Sequence, residues 1–132
     1  MRNLRVLVAE DEPLLQMMLE EVLAPLDCTV VATCASRAEA FELSRTEELD
    51  FAVIDYWLGS ESSDDVITIL NQRGIPVILA TGVATHLSPC LREVVAVVDK
   101  PYSVAAIENA IEHCLRPRKS TLSESVASAA PL

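Results

Sequence analysis

Apolar residues along this chain follow two alternating rhythms. Short apolar runs stand at Leu4 to Ala9, broken only by Arg5, and at Phe51 to Ile54, Pro76 to Ala80 and Val94 to Val98, and Cys28 to Cys34 is rich in β-branched residues. Runs this short, apolar at consecutive positions, predict strands covered on both faces. Between them the spacing turns helical. Pro13 suits the first turn of a helix carrying Leu14, Leu15, Met18, Leu19, Val22 and Leu23. Ser36 with Glu39 three positions on reads as a capping box. Asp64 to Arg73 places Val66, Ile67 and Leu70 on one face and stops at Gly74. Ser103 can cap a last helix with Ile107, Ala110, Ile111, Cys114 and Leu115, ending near Pro117. Between Thr81 and Lys100 Pro89 leaves room only for a short or irregular helix.

Five strands alternating with five helices on short connections predict an α/β fold with a doubly wound parallel sheet. Ligands of such sheets bind at the carboxyl ends of the strands. The first strand ends at Glu10 and Asp11, the third at Asp55, the fourth at Thr81 and the fifth at Asp99 and Lys100, all converging on one rim.

The 132 residues suffice for one domain, expected over 1–116, followed by a Ser/Ala-rich stretch over 117–132 expected to be disordered. A net charge of −10 works against direct binding of nucleic acid and fits a site that gathers a divalent cation, although solubility alone explains an acidic surface. The four cysteines Cys28, Cys34, Cys90 and Cys114 lack metal-ligand spacing and read as small core residues. There is no signal-peptide pattern and no apolar run long enough to cross a bilayer, so a cytoplasmic location is expected.

Three carboxylates on one rim repel one another unless a cation sits among them. Magnesium is the natural candidate, since it takes hard oxygen ligands and keeps several waters. Asp11 and Asp55 read as direct ligands, Glu10 as a ligand through water, and Trp57 as the residue supplying a carbonyl. Asp55 is also placed to attack phosphorus and form an acyl phosphate, with the Lys100 ammonium and the Thr81 hydroxyl available to the phosphoryl oxygens. Each residue alone has a plainer reading: Glu10 and Asp11 as helix-start acids, Thr81 as a turn residue, Lys100 as a solvated loop lysine. It is their coincidence at separate strand ends that argues for a site.

These residues sit in the motifs VLVAEDE, DFAVIDYWL, PVILATG and VVDKPYS. Through them the chain resembles the receiver domain of two-component response regulators, from Leu4 to about Arg116. The resemblance implies a flavodoxin-like five-stranded sheet in order 2-1-3-4-5 and a cis Lys100–Pro101 bond. It further implies phosphotransfer from a histidine kinase to Asp55 with Mg2+, and catalytic roles for Asp55, Thr81 and Lys100. The stretches WLGSESSD and RGIPVILATG are similar to the divergent FAT GUY group, with Leu79 and Val83 in place of its phenylalanine and tyrosine. That likeness implies a stand-alone receiver, paired with a histidine kinase of the HWE or a related type and with a downstream protein partner. Association of two copies through the fourth-helix face is left open.

Two departures bear on mechanism. Val97 stands where receivers usually carry the aromatic switch residue, so an order–disorder change over Val83 to Arg92 is the expected signal, and amide exchange there would report it. Trp57 and Val83 flank the phosphoryl position and would screen it from water, so that Trp57→Asn shortens the phosphoryl lifetime. Among rival classes, a haloacid-dehalogenase-type phosphatase needs an acid two residues past its nucleophile, where Trp57 stands, and a nucleotide-binding domain needs a glycine-rich phosphate loop that is missing. No effector domain follows Leu115, which leaves two expected outputs: a phosphate sink for the kinase, or an adaptor.

Overall fold

The computed structural model describes residues 3–81, 96–99 and 103–115. The elements, in order, are β1 (Leu4–Ala9), α1 (Pro13–Leu23), β2 (Cys28–Cys34), α2 (Arg37–Thr46), β3 (Phe51–Asp55), α3 (Asp64–Gln72), β4 (Val77–Thr81), β5 (Ala96–Asp99) and α4 (Val104–Leu115). The five strands form one sheet in the order β2-β1-β3-β4-β5, every neighbouring pair parallel. The doubly wound sheet expected from the apolar runs is therefore present.

Alternation along the strands divides the core in two. Val6, Val8, Phe51, Val53, Ile78, Ala80 and Val98 cluster with Leu19 and Leu23 of α1 and with Ile107, Ala110 and Ile111 of α4. Leu7, Ala9, Ala52, Ile54, Val77 and Leu79 cluster with Ala40 of α2 and with Val66, Ile67 and Leu70 of α3. Because successive strand side chains point to opposite faces, a sheet clad in helices on both sides must be apolar at every position. That is why β3 is buried at all of Phe51–Asp55. Burying each Leu, Ile or Phe contributes about 1.5–3 kcal/mol, so this sheet dominates the fold's stability.

The helix ends follow local chemistry. The Ser36 side chain accepts a hydrogen bond from the Glu39 N–H at 3.2 Å, the expected cap of α2. The Ser103 hydroxyl accepts from the Ala106 N–H at 3.0 Å and opens α4. Helix α3 closes with Gly74 at φ +76°, its N–H donating to Asn71 O at 3.0 Å and the Ile75 N–H to Leu70 O at 2.9 Å. This is a Schellman end, which requires a left-handed residue.

Three details differ from the sequence reading. The segment expected as a plain loop from Tyr56 to Ser63 contains an antiparallel rung, Trp57–Leu58 against Glu61–Ser62, turned by Gly59 at φ +65°. The fourth strand starts one residue later than expected and runs through Thr81; the fifth runs over Ala96–Asp99, one residue past the expected end at Val98, while its expected start at Val94 lies outside the described residues. Backbone pairing with β3 and β5 decides these limits, which apolarity alone cannot. The expected short helix between Thr81 and Lys100, the Lys100–Pro101 bond, Cys90 and the stretch 117–132 lie outside the described residues; the described residues contain four α-helices.

Candidate functional site

Sheet order places the site. The chain leaves β1 toward β2 on one side while β3 pairs on the other, so a crevice opens where β1 and β3 end together. The register pairs Ala9 with Ile54, which brings the next residues, Glu10 and Asp55, level at the rim. Thr81 ends β4 one strand further on, paired with Asp99 of β5. Lys100, which directly follows Asp99, and Val83 lie outside the described residues, as does the Val83 to Arg92 segment.

Carboxylate oxygens of Glu10, Asp11 and Asp55 lie within 4.8 Å of one another. Glu10 is 0% and Asp55 5% exposed, while Asp11 sits further out. Burying carboxylates together is costly unless donors or a cation meet them. Some of the donors are local. The Glu12 N–H donates to Glu10 Oε2 at 3.0 Å, the Trp57 N–H to Asp55 Oδ1 at 3.3 Å, and the Gly59 N–H to Asp11 Oδ2 at 2.9 Å. The Gln16 side-chain amide donates to the Glu10 carbonyl, fastening the first turn of α1 to the rim.

The geometry fits a hard divalent ion. Ligand oxygens around one octahedral magnesium stand about 3–4 Å apart for bonds of about 2.0–2.1 Å, close to the spread found here. Every side chain in the trio is a carboxylate, and the described residues contain no other group of acids, histidines or cysteines gathered this closely. Among the three expected ligands from side chains, all three are thus brought together. Trp57, expected to lend its carbonyl, lies two residues past Asp55; the residue is 51% exposed and its ring meets that of Tyr56 edge-on, with centroids 5.2 Å apart at 83°.

One residue of the site was not singled out by the sequence. Ser63, 0% exposed, stands at the start of α3, where a serine normally caps the helix. Its hydroxyl makes no cap; it lies 2.9 Å from the carbonyl oxygen of Asp55 and 3.0 Å from that of Tyr56.

A parallel sheet in the order 2-1-3-4-5 with an acidic trio at its switch point defines the class of the response-regulator receivers. A family model for the response regulator receiver domain matches residues 6–112, and the chain belongs to that family. Among solved structures, the chain is similar to the response regulator PhyR from Brucella abortus, with 28% identity and a TM-score of 0.76, covering 98% of this chain and 53% of that one. The receiver domain of PhyR from Erythrobacter litoralis is 28% identical with a TM-score of 0.71, over 86% of this chain and 90% of that one. The receiver domain of the sensor histidine kinase PA1611 from Pseudomonas aeruginosa PAO1, with magnesium coordinated in its active-site cleft, shares the fold at 20% identity and a TM-score of 0.72, over 84% of this chain and 96% of that one. The chain spans about half the length of the Brucella abortus PhyR. A search of curated proteins found no match.

Proposed function

We propose that this receiver domain accepts a phosphoryl group on Asp55 from a histidine kinase and, once phosphorylated, changes its binding to a downstream protein. The observation that carries the proposal is the buried acidic trio at the β1/β3 switch point, with Asp55 ending a strand that is buried throughout. Magnesium, held by Asp11 and Asp55 directly, by Glu10 through water and by the Trp57 carbonyl, would neutralise charge on the transferring phosphoryl oxygens.

The chain's own residues supply the rest. Asp55 Oδ attacks phosphorus in line, the bond from phosphorus to the donor breaks with its electron pair leaving on the donor, and an acyl phosphate results. The Trp57 N–H donates to Asp55 Oδ1 at 3.3 Å, which helps to orient the carboxylate. Lys100 and the Thr81 hydroxyl would bind the phosphoryl oxygens, with Thr81 at the end of β4 passing the change to the Val83 to Arg92 segment. A related structure from Bartonella quintana is of an anti-anti-sigma factor PhyR, 26% identical to this chain, and this likeness supports an output through protein binding. A kinase of the HWE type is the donor favoured by the sequence stretches around Asp55 and Thr81.

The test is incubation with acetyl phosphate or phosphoramidate and Mg2+, followed by intact-mass measurement. A single phosphoryl adduct on the wild type and none on Asp55→Ala is expected. An adduct on both proteins, or on neither with the purified kinase as donor, overturns the proposal. A pull-down comparing wild type with Asp55→Asn then separates an adaptor, which gains a partner on phosphorylation, from a phosphate sink, which does not.

A further inference from the structure

We infer that Ser63 is a positioning residue for the phosphoacceptor: its buried hydroxyl and its N–H fix the two peptide units that aim Asp55. The inference rests on the reading of Asp55 as the nucleophile.

The Ser63 hydroxyl stands between the carbonyl oxygens of Asp55 and Tyr56, at 2.9 and 3.0 Å, and the Ser63 N–H donates to the Tyr56 carbonyl as well, at 2.8 Å. The Tyr56 carbonyl belongs to the same planar peptide as the Trp57 N–H. In a trans peptide the two groups point in opposite directions, so gripping the carbonyl aims the N–H. That N–H donates to Asp55 Oδ1. The Asp55 carbonyl belongs to the preceding peptide, whose N–H, on Tyr56, bonds to the Ala80 carbonyl of β4 at 3.0 Å. Ser63 therefore holds both peptides downstream of the nucleophile, with its single hydroxyl proton available to the Asp55 carbonyl while its N–H holds that of Tyr56, and through them the backbone torsions that set where the carboxylate points.

The position breaks a local rule, which is a mark of function. Ser63 has the residue type and place of a helix cap, yet its hydroxyl leaves the first turn of α3 uncapped and turns back to the end of β3. It is wholly buried, so bulk water does not compete for the bonds its hydroxyl makes. The second grip on this loop is the Gly59 N–H on Asp11 Oδ2, beyond the rung that pairs Trp57 with Ser62. The loop from Tyr56 to Ser63 is thereby tied to the site at two points, to Asp11 by its turn and to Asp55 by Ser63.

The experiment measures phosphorylation by phosphoramidate with saturating Mg2+ in wild type, Ser63→Ala and Ser63→Cys, with the fluorescence of Trp57, the chain's one tryptophan, reporting Mg2+ binding. Ser63→Ala is expected to lower the maximal rate per folded molecule on the order of tenfold with a donor half-saturation close to wild type, because orientation acts on the reacting geometry. Ser63→Cys, a weak donor in the same place, is expected to recover part of that rate. An unchanged maximal rate in Ser63→Ala, or a Ser63→Cys protein no faster than Ser63→Ala, overturns the inference. If Ser63→Ala does not fold, Ser63→Cys is compared with wild type, and an equal maximal rate overturns it. A wild type that takes up no phosphoryl group overturns the phosphoacceptor reading instead.

Discussion

Burial acts on individual ionisable side chains according to what surrounds them. Cys34, at the end of β2, has its thiol pushed up to about 12, first by loss of water and then by the charge of Glu39, while its Sγ lies 3.7 Å from the Val8 carbonyl. Cys28 is raised in the same direction, first by burial and then by Asp27 and Asp50. Below the ordinary thiol value of 9.0, Cys34 is protonated in both the folded and the unfolded chain and favours neither. Above it only the unfolded chain releases the proton, so stability falls as pH rises from 9.0 toward about 12. Chemical denaturation across that window should show the fall, with a shallower slope in Cys34→Ala; the same slope in both would refute the assignment. These cysteines were legible in the sequence as core residues because nothing near them in the chain could ligate a metal. Ser63 was not, because a serine before Asp64 and Asp65 has the pattern of an ordinary cap.

Elements in this chain are closed by backbone geometry as much as by side-chain pattern. At the end of α3, Gly74 holds φ +76° and has nothing within 4 Å of where a Cβ would stand. A substitution there meets no clash, so its cost is that of the left-handed backbone alone. Gly74→Ala is expected to lose about 1 kcal/mol in urea unfolding and Gly74→Asn less, since Asn tolerates that conformation better. A neutral Gly74→Ala would mean that the helix end rearranges. The ion pairs of Arg37 on α2, with Asp65 of α3 at 2.5 Å and with Glu61 of the Tyr56 to Ser63 segment at 3.5 Å, are partly exposed and contribute at most about 1 kcal/mol. The helices and their caps at Ser36 and Ser103 could be read in advance because a cap lies within a few residues of what it caps. The rung inside the Tyr56 to Ser63 segment could not, since its strands are two residues each and carry no periodicity.

At the scale of the molecule, magnesium held at the acidic trio would couple ion binding to folding. If the ion binds the folded rim and not the unfolded chain, Mg2+ at roughly ten times its dissociation constant adds about 1.4 kcal/mol of stability. Wild-type thermal unfolding should therefore rise by a few degrees in Mg2+, and Asp11→Asn should lose most of that rise; an equal rise in both would place the ion elsewhere. The net charge of −10 makes calcium a necessary control, because any divalent cation relieves general repulsion. Sequence by itself determined the five strands of the sheet and the four described helices, and that carboxylates end two of the strands, because burial on both faces forces apolar runs whose ends are polar. Strand order and register were decided only by the tertiary structure. Pairing Ala9 with Ile54 sets Glu10 beside Asp55, and residues 45 positions apart in the chain become one site only when long-range backbone pairing fixes their level. The bond from Ser63 back to the end of β3 has the same origin: packing of α3 against the sheet sets where the residue preceding the helix points, and no spacing in the sequence encodes that direction.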